Sequence, residues 1–246
     1  MNPPEDILLV IPTYRDGARL AEFLPGLCAG LARGPGGVRV QVVDDGSPAA
    51  EQNALRSLID LVRGEYRFLL PLAAGTSNRG KGHAIRAGWA ASPAMCWLAF
   101  VDADGAAPAT EVTALLVRAR NSAQPALFIA ERTGRPENPV TRLWHRRLGS
   151  RVFNSWVRLC LGLRFPDTQC GLKIVPASFF AGGGWSEEGF AFDLELLLRA
   201  RAARLPVIVQ PISWSEQPGS SLGIRAMLAL FAAVWRLRRS EKKNGA

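Results

Sequence analysis

Three predicted strands in the first half of the chain end in clusters of polar residues and glycine, and this repeat limits the fold more than any other feature. The clusters are Asp44–Ser47, Asn78–Gly82 and Asp102–Asp104. Helical patterns lie between the strands, so strand and helix alternate at intervals of roughly thirty residues, as in βαβ units with a mostly parallel sheet. Ligands of such sheets bind beyond the carboxyl ends of the strands. We therefore expect the clusters to meet at one rim of the sheet, the edge that the carboxyl ends of the parallel strands form.

The apolar pattern predicts an α/β fold over most of the chain. Strands are predicted at 7–12, 38–43, 66–74, 95–101, 126–132, 170–176 and 206–214. Helices are predicted at 17–31, from Pro48, at 81–91, from Pro108, and at 139–161, 192–205 and 222–239. Pro71 makes the third strand an edge or irregular strand, and Ser47 is the expected N-cap before Pro48.

The net charge of the 246-residue chain is +9, which favours an anionic partner: nucleic acid, a phosphate-bearing substrate or a membrane surface. Arginine is dense at 132–164 and again at 236–239. The four cysteines form no C-x-x-C pair and there are two histidines, so reduced thiols are expected rather than a zinc site.

The first residues, MNPPEDILLVIP, have no basic region before the apolar stretch and are typical of the start of a domain rather than of a signal peptide. No run approaches the ~18 apolar residues of a spanning helix. These features favour a cytoplasmic protein.

The stretch Gly75–Lys81 reads G-x-x-x-x-G-K, as in the phosphate-binding loop of P-loop nucleotidases. The residue after the lysine is Gly82, where that loop requires Ser or Thr to hold Mg²⁺. The loop also follows the third predicted strand instead of the first, and it leaves Asp44 and Asp45 unexplained. The P-loop interpretation is therefore disfavoured.

Asp102-x-Asp104 follows a buried strand directly. Two carboxylates at this spacing can hold a divalent cation against a diphosphate. Asp44-Asp45, by contrast, is equally well explained as a turn and helix cap.

Four segments, VIPTYRDGARL, VVDDGSP, NRGKGHAIRAG and FVDADGA, occur in the order and approximate spacing of family 2 inverting glycosyltransferases, which the chain resembles. DTQCGLK, FAFDLELL and ISWSEQPGSSL narrow the resemblance to the dolichyl-phosphate β-glucosyltransferase branch. The resemblance covers residue 7 to about residue 222. It implies a GT-A (Rossmann-like) three-layer sandwich with a mostly parallel sheet, and basic amphipathic helices follow in the C-terminal half.

The resemblance implies a nucleotide-sugar donor and Mg²⁺ or Mn²⁺. Asp45 would accept hydrogen bonds from uracil or ribose, Asp102 would face ribose or metal, and Asp104 would bind the metal. The matching donor residues are Pro12, Tyr14, Asp16, Asp45, Gly80, Lys81, Gly82, Asp102 and Asp104. Ala106 stands where related mannosyltransferases often have Gln, so the metal has one protein ligand fewer.

On the acceptor side, the resemblance implies that Arg132 and Arg151 bind a lipid phosphate, with Arg147 as a lesser candidate. A solvated basic helix face is the alternative for this region. Asp167 and Asp193 are the matching carboxylates and join Asp104 as predicted catalytic residues: Asp167 would orient the acceptor or the sugar, and Asp193, with Glu195, would contact sugar hydroxyls. A turn or helix cap is the alternative for each.

The motif W-x-E-x-P-G-S resembles a lid over the donor, with Trp214, Glu216, Ser220 and Ser221 as its residues. Cys170 is expected to be a packed thiol, because inverting transfer needs no covalent enzyme intermediate.

The resemblance implies transfer of a hexose, with glucose from UDP-glucose as the first candidate, onto a polyprenyl or dolichyl phosphate. The expected domain is 1–222, with a donor half at 1–132 and an acceptor half at 133–222, and 223–246 forms an amphipathic helix with a basic tail. We expect peripheral attachment to an anionic membrane at its cytosolic face and no nucleic-acid partner. Packing of the tail helix on its own domain, or on a second copy in a homodimer, is an equal alternative to membrane docking. A soluble acceptor and a non-catalytic binding module are the alternatives.

Overall fold

The computed structural model describes residues 6–34, 36–92, 95–132, 140–141, 144–217 and 224–244. Within these ranges the side chains of 144–147, 224–226 and 241–244 are not described.

Strands and helices alternate through the first half of the chain, as the apolar pattern predicts. The strands are β1 Ile7–Thr13, β2 Val38–Asp44, β3 Ala73–Ala74, β4 Trp97–Val101, β5 Leu127–Glu131, β6 Val140–Thr141, β7 Leu172–Pro176, β8 Val207–Pro211 and β9 Trp214–Ser215. The helices are α1 Gly17–Ala32, α2 Ala49–Glu65, α3 Lys81–Ala90, α4 Ala109–Arg120, α5 Trp144–Leu161, α6 Ala177–Ala181, α7 Phe192–Ala202 and α8 Ile224–Asn244.

Seven strands form the main sheet, in the order β3-β2-β1-β4-β7-β5-β8. All neighbours are parallel except β7, which runs antiparallel to both β4 and β5. In the register of the central pair, Thr13 lies opposite Asp44, so β1 and β2 end together. The rim expected from the sequence is therefore present. Because β7 is antiparallel, it begins at this rim, where the neighbouring β4 ends.

Helices cover both faces of this sheet, which gives the three layers expected. One apolar core lies under α1, α2 and α4, with Leu24, Ile59 and Leu115 among its buried side chains. The other lies under α3, α5, α7 and α8, with Trp89 and Phe192 among its buried side chains. A strand buried on both faces must be apolar throughout, and this explains the continuous apolar run of β1.

Three predicted elements differ from the structure. Within 66–74, only Ala73–Ala74 forms a strand, because Pro71 has no N–H to donate and separates it from the isolated bridge between Val40 and Leu69. As expected, this strand lies at the sheet edge.

The predicted helix 139–161 and strand 206–214 are each divided. Val140–Thr141 pairs in parallel with Trp214–Ser215 as a separate two-stranded sheet, so the helix begins only at Trp144.

Ser47 is also not the N-cap of α2: Pro48 holds that position, and the Ser47 hydroxyl donates to Asp44 instead.

Helix α8 packs against α5 through aromatic side chains. The ring centroids of Phe153 and Phe231 are 5.4 Å apart, and those of Trp156 and Trp235 are 5.8 Å apart. No helix in the described part of the chain combines the length and the apolar character needed to cross a bilayer.

Candidate active site

The two neighbouring aspartates after β2 have different partners. Asp44 is fully buried and closes the turn into α2: Oδ2 accepts from the Ser47 N–H at 2.9 Å and Oδ1 from the Ser47 hydroxyl at 2.5 Å. Asp45 instead holds the next loop of the rim, because its Oδ2 accepts from the backbone N–H groups of Arg79, at 3.0 Å, and Gly80, at 2.5 Å. The turn-and-cap interpretation therefore describes Asp44, while Asp45 connects two of the polar clusters.

The surroundings of Asp45 suit a polar ligand. Burial raises the pKa of this carboxyl above its ordinary value, although the two backbone N–H groups partly offset the rise. Its backbone N–H donates to the Thr13 carbonyl at 2.8 Å, which joins it to the end of β1. The Thr13 hydroxyl is buried and has no partner among the described residues. An unpaired buried hydroxyl is costly, so a ligand that bonds to it would lower that cost.

The other donor residues predicted near β1 lie around this position. Pro12 is part of β1, opposite Val43. Tyr14 follows the strand and is exposed, and Asp16 pairs with Arg19, with 2.5 Å between Oδ1 and Nε.

The Gly80-Lys81-Gly82 turn is a contact between two segments of the protein. A Cβ atom at Gly80 would lie 2.6 Å from the Glu188 carbonyl oxygen, and one at Gly82 would lie 2.6 Å from the Phe192 Cβ. Gly80 also has φ +115°, which disfavours any other residue. The glycines therefore let the start of α3 approach the segment before α7, and they place Lys81 opposite Asp193.

Lys81 lies between two carboxylates. Its Nζ is 2.7 Å from Oδ1 of Asp102 and 3.4 Å from Oδ2 of Asp193, and it lies 4.9 Å from the centre of the Phe100 ring. Burial opposes its charge, but the two carboxylates outweigh burial and raise the pKa of Lys81 above its ordinary value. The ammonium is therefore a fixed positive charge at the rim.

Asp102 is held by the loop that leads into β7. Its backbone N–H donates to the Gly171 carbonyl at 2.9 Å. A Cβ atom at Gly171 would lie only 1.8 Å from Oδ2 of Asp102, so the carboxylate occupies the space that any other residue would fill. Burial raises the pKa of Asp102, and Lys81 only partly offsets this rise.

Asp102 and Asp104 are a suitable pair for a hard divalent cation. Asp104 is half-buried, and its Oδ1 accepts from the Ala106 N–H at 3.0 Å. Carboxylate oxygens are preferred ligands of Mg²⁺, which takes one or two carboxylates together with substrate phosphates. Within the described residues, no group of three His, Cys, Asp or Glu side chains could hold a metal by itself. The donor set therefore fits a cation that shares its coordination with a bound diphosphate.

Arg132, the predicted acceptor-phosphate ligand, forms a two-pronged ion pair with Asp167. Nε is 2.5 Å from Oδ2 and Nη2 is 2.7 Å from Oδ1. The guanidinium also lies 4.8 Å from the centre of the Trp214 ring. Burial alone would raise the pKa of Asp167, but Arg132 outweighs it and holds this pKa below its ordinary value. Nη1 takes no part in this pair.

Arg151 lies on the exposed face of α5. Three residues further on, Asn154 donates to the Pro166 carbonyl at 2.9 Å and accepts from the Thr168 hydroxyl at 2.8 Å. These bonds fix this part of α5 beside the loop that carries Asp167. The side chain of Arg147 lies outside the described residues.

The predicted lid is only partly described. Trp214 is buried in β9, and Glu216 donates its backbone N–H to the Thr141 carbonyl at 3.1 Å. Ser220 and Ser221 lie outside the described residues. Gln217 lines an open groove together with Asp104, so the chain that leads into the lid passes beside the proposed metal ligands.

The remaining predicted carboxylates face the protein. Asp193 is buried between Lys81 and Lys173, and Glu195 accepts backbone N–H groups from Ser186 and Glu187. Cys170 is buried as expected, and burial raises the pKa of its thiol to about 12.

Sequence reasoning missed two residues of the DTQCGLK segment, Gly171 and Lys173. Lys173 is fully buried and bonded to Asp193. A lysine inside the apolar run of β7 was the available signal, because lysine is almost never fully buried unless it is paired.

The structure resembles solved glycosyltransferases with the GT-A fold. Glucosyl-3-phosphoglycerate synthase from Mycobacterium tuberculosis, in complex with UDP, superposes with a TM-score of 0.69 at 16% identity, over 96% of this chain and 79% of that one. A mannosyltransferase from Pyrobaculum calidifontis, in complex with GDP-Man and Mn²⁺, gives a TM-score of 0.61 at 17% identity, over 96% and 61% of the two chains. At this identity the likeness establishes the fold: a GT-A-like α/β sandwich.

The sequence comparison gives the family. The model of glycosyl transferase family 2 matches residues 8–181, so the chain belongs to that family and is a glycosyltransferase. Dolichyl-phosphate beta-glucosyltransferase of Homo sapiens is 28% identical, over 99% of this chain and 81% of that protein. The enzyme of the same name from Drosophila melanogaster is 29% identical, over 90% and 70%.

Proposed function

We propose that this protein transfers glucose from UDP-glucose onto a polyprenyl or dolichyl phosphate, with inversion at the anomeric carbon. The observation that carries the proposal is the rim itself. There Asp45 follows β2, Asp102 and Asp104 follow β4, and Lys81 begins α3 beside them. The DTQCGLK loop connects this group to Arg132, because its Gly171 accepts from Asp102 and its Asp167 pairs with Arg132. A relative named dolichyl-phosphate beta-glucosyltransferase is similar over 99% of this chain, which supports the proposal.

The proposed binding of the nucleotide-sugar donor follows from the charges at the rim. Asp45 would accept hydrogen bonds from the uracil or ribose, and Asp102 and Asp104 would hold Mg²⁺ or Mn²⁺. When bound, such an ion stabilises the charge that develops on the departing diphosphate. Lys81 adds a second positive charge at the same point, because its ammonium lies 2.7 Å from Asp102.

The acceptor half requires positioning more than proton transfer. A lipid phosphate is anionic at neutral pH, so one of its oxygens can attack the anomeric carbon while the bond from that carbon to the UDP oxygen breaks. Arg132 would present Nη1 to the phosphate while Asp167 fixes the other side of the guanidinium. An arginine held in this way loses little entropy when it binds. Arg151, which is exposed on α5, would be the second cation that binds the acceptor phosphate.

The alternative acceptor is a soluble molecule. The experiment supplies labelled UDP-glucose and Mn²⁺ with polyprenyl phosphate in detergent, and in parallel with a panel of soluble phosphorylated acceptors. We expect label in the solvent-extractable lipid only. Label in a soluble product without lipid would favour the alternative.

We also propose that α5 and α8 form the membrane-facing surface, and that 223–246 acts with the domain 1–222 instead of apart from it. Nine large apolar side chains are exposed in the described part of the chain, and six of them lie on these two helices. They are Leu148, Val152, Leu159, Met227, Leu228 and Trp235. Arg151, Arg158 and Arg239 are exposed on the same helices, and exposed apolar groups beside arginines suit an anionic bilayer interface. A second copy of the chain is the competing occupant.

Replacing Leu159 by Glu should weaken binding to vesicles that contain phosphatidylglycerol by at least about tenfold, because a buried leucine side chain contributes about 1.5–3 kcal/mol. The measurement is co-sedimentation. Leu61→Glu is the matched control, since Leu61 is 77% exposed on α2 and Leu159 is 75% exposed on α5. Unchanged vesicle binding, or a change from dimer to monomer instead, would contradict the membrane proposal.

A further inference from the structure

Lys173 is a buried cation to which the proposed reaction assigns no role. It lies in the middle of β7, paired with Phe100 on one side and Ile129 on the other, and its side chain has no exposed surface. Its Nζ donates to the Cys170 carbonyl at 2.8 Å and to Oδ1 of Asp193. Lys173 therefore has no direct route to a ligand at the rim.

A series of contacts nevertheless connects Lys173 to the rim. The second oxygen of Asp193 lies 3.4 Å from the Lys81 ammonium, which in turn lies 2.7 Å from Asp102. Both ammonium groups pack against the ring of Phe100, at 4.9 Å for Lys81 and 5.7 Å for Lys173. Exposure rises along the series: the side chain of Asp193 is 2% exposed, that of Lys81 10% and that of Asp102 31%.

Packing alone does not account for these charges. A buried ion pair is often no more stabilising than an apolar pair of the same volume, because both charges lose their hydration. The buried pair of Lys173 and Asp193 also adjoins Lys81, the cation of this series that lies beside Asp102 at the rim. The two ammonium groups and the two carboxylates of this series carry equal and opposite charge, and Lys81 lies closer to Asp102 than to Asp193.

We propose that Lys173 is a positioning residue: by neutralising Asp193, it leaves the Lys81 ammonium beside Asp102, where a nucleoside diphosphate and its metal bind. This inference rests on the donor site of the proposed function. It gives Asp193 a role through Lys81 rather than by contact with the sugar. Without Lys173, Asp193 would have Lys81 as its nearest remaining cation and would pull it out of the donor site.

The test measures the affinity for UDP in the presence of Mn²⁺ by calorimetry, in the wild type and in Lys173→Met, Asp193→Asn and the double variant. We expect Lys173→Met to bind UDP at least about tenfold more weakly, the usual size of effect for residues that orient metal-site groups. The double variant should recover to within about threefold of the wild type, because the unpaired carboxylate is then absent. In the transfer assay, the donor KM should rise in Lys173→Met while the acceptor KM stays unchanged.

A merely structural role would weaken UDP binding only as far as the variant loses stability, so the melting temperature of each variant is measured as well. We expect Lys173→Met to lose UDP affinity at a temperature where it is fully folded, with only the donor KM raised. Wild-type affinity in Lys173→Met, or equal weakening in the single and double variants, would overturn the proposal. If Lys173→Met fails to fold, Lys173→Gln takes its place, with the same expected loss of UDP affinity and the same recovery when Asp193→Asn is added. A double variant that binds UDP tenfold more weakly than the wild type overturns the proposal in either case. A wild-type protein that binds UDP but transfers no glucose would refute the proposed function and leave this inference standing, whereas one that binds no UDP would refute both.

Discussion

Replacing Asp104 by Asn should lower kcat by about 1,000-fold or more, because the stabilisation of a departing diphosphate by a metal ion amounts to several kcal/mol. Asp104 lies at the rim with Asp102, and its Oδ2 has no partner among the described residues that would compete with a cation. The substitution keeps the size of the side chain and removes its charge. Initial rates over a Mn²⁺ titration measure the effect, and the increase in melting temperature that Mn²⁺ and UDP produce together should also disappear.

Asp60→Asn is the control for Asp104→Asn, since Asp60 is an exposed carboxylate of α2 that pairs only with its neighbour Arg63 in the described structure. It should leave kcat and the melting temperature unchanged. A loss of less than tenfold in Asp104→Asn would show that the carboxylate is not a metal ligand. A wild-type protein with no turnover to lose would instead favour the non-catalytic binding module.

Replacing Gly171 by Ala should lower kcat/KM by at least about 100-fold, a loss typical of a misplaced group in an active site. The new methyl group would lie 1.8 Å from Oδ2 of Asp102, so the carboxylate must leave its position or β7 must shift. Either movement also disturbs the contact between Asp102 and Lys81. The measurement is steady-state transfer, together with calorimetric titration of UDP in the presence of Mn²⁺.

Gly64→Ala is the matched control for Gly171→Ala, because nothing lies within 4 Å of a Cβ atom built at Gly64 in α2. Alanine in a helix is more favourable than glycine by about 0.5–1 kcal/mol, so the control should be fully active and slightly more stable. Near-normal activity in Gly171→Ala would mean that Asp102 does not need the position it has in the structure.

The spacing of apolar residues along the sequence was enough to predict most of the fold, because this spacing differs between buried parallel strands and amphipathic helices. β4 and β5 lie within the predicted ranges, β1 and β2 each extend one residue beyond theirs, and the polar clusters meet at one rim. The antiparallel direction of β7 was not predictable in this way, since an apolar run has the same pattern in either direction. Nor did the pattern separate β6 from α5: Val140 and Thr141 become a strand only through pairing with Trp214 and Ser215, more than seventy residues away.

At the site, the sequence was enough to select the functional residues, but it did not predict which residues they contact. Asp45, Asp102 and Asp104 could be selected from their places after strands. The pairing of Lys81 with Asp193, separated by 112 positions in the sequence, depends on how α3 packs against α7. The Gly-Lys-Gly turn illustrates the difference: its likeness to a P-loop suggested phosphate contact, whereas its glycines accommodate Glu188 and Phe192.

The proposed function is transfer of glucose from UDP-glucose onto a lipid phosphate, at the rim formed by β1, β2 and β4 of this family 2 glycosyltransferase. The most direct measurement is transfer of labelled glucose from UDP-glucose into solvent-extractable lipid, with Mn²⁺ and either dolichyl or bacterial polyprenyl phosphate. We predict a labelled glucosyl phospholipid of β configuration, and a strong decrease in its formation when EDTA removes the metal. If folded protein gives no labelled lipid with either acceptor and with every sugar nucleotide tried, the proposed function is wrong.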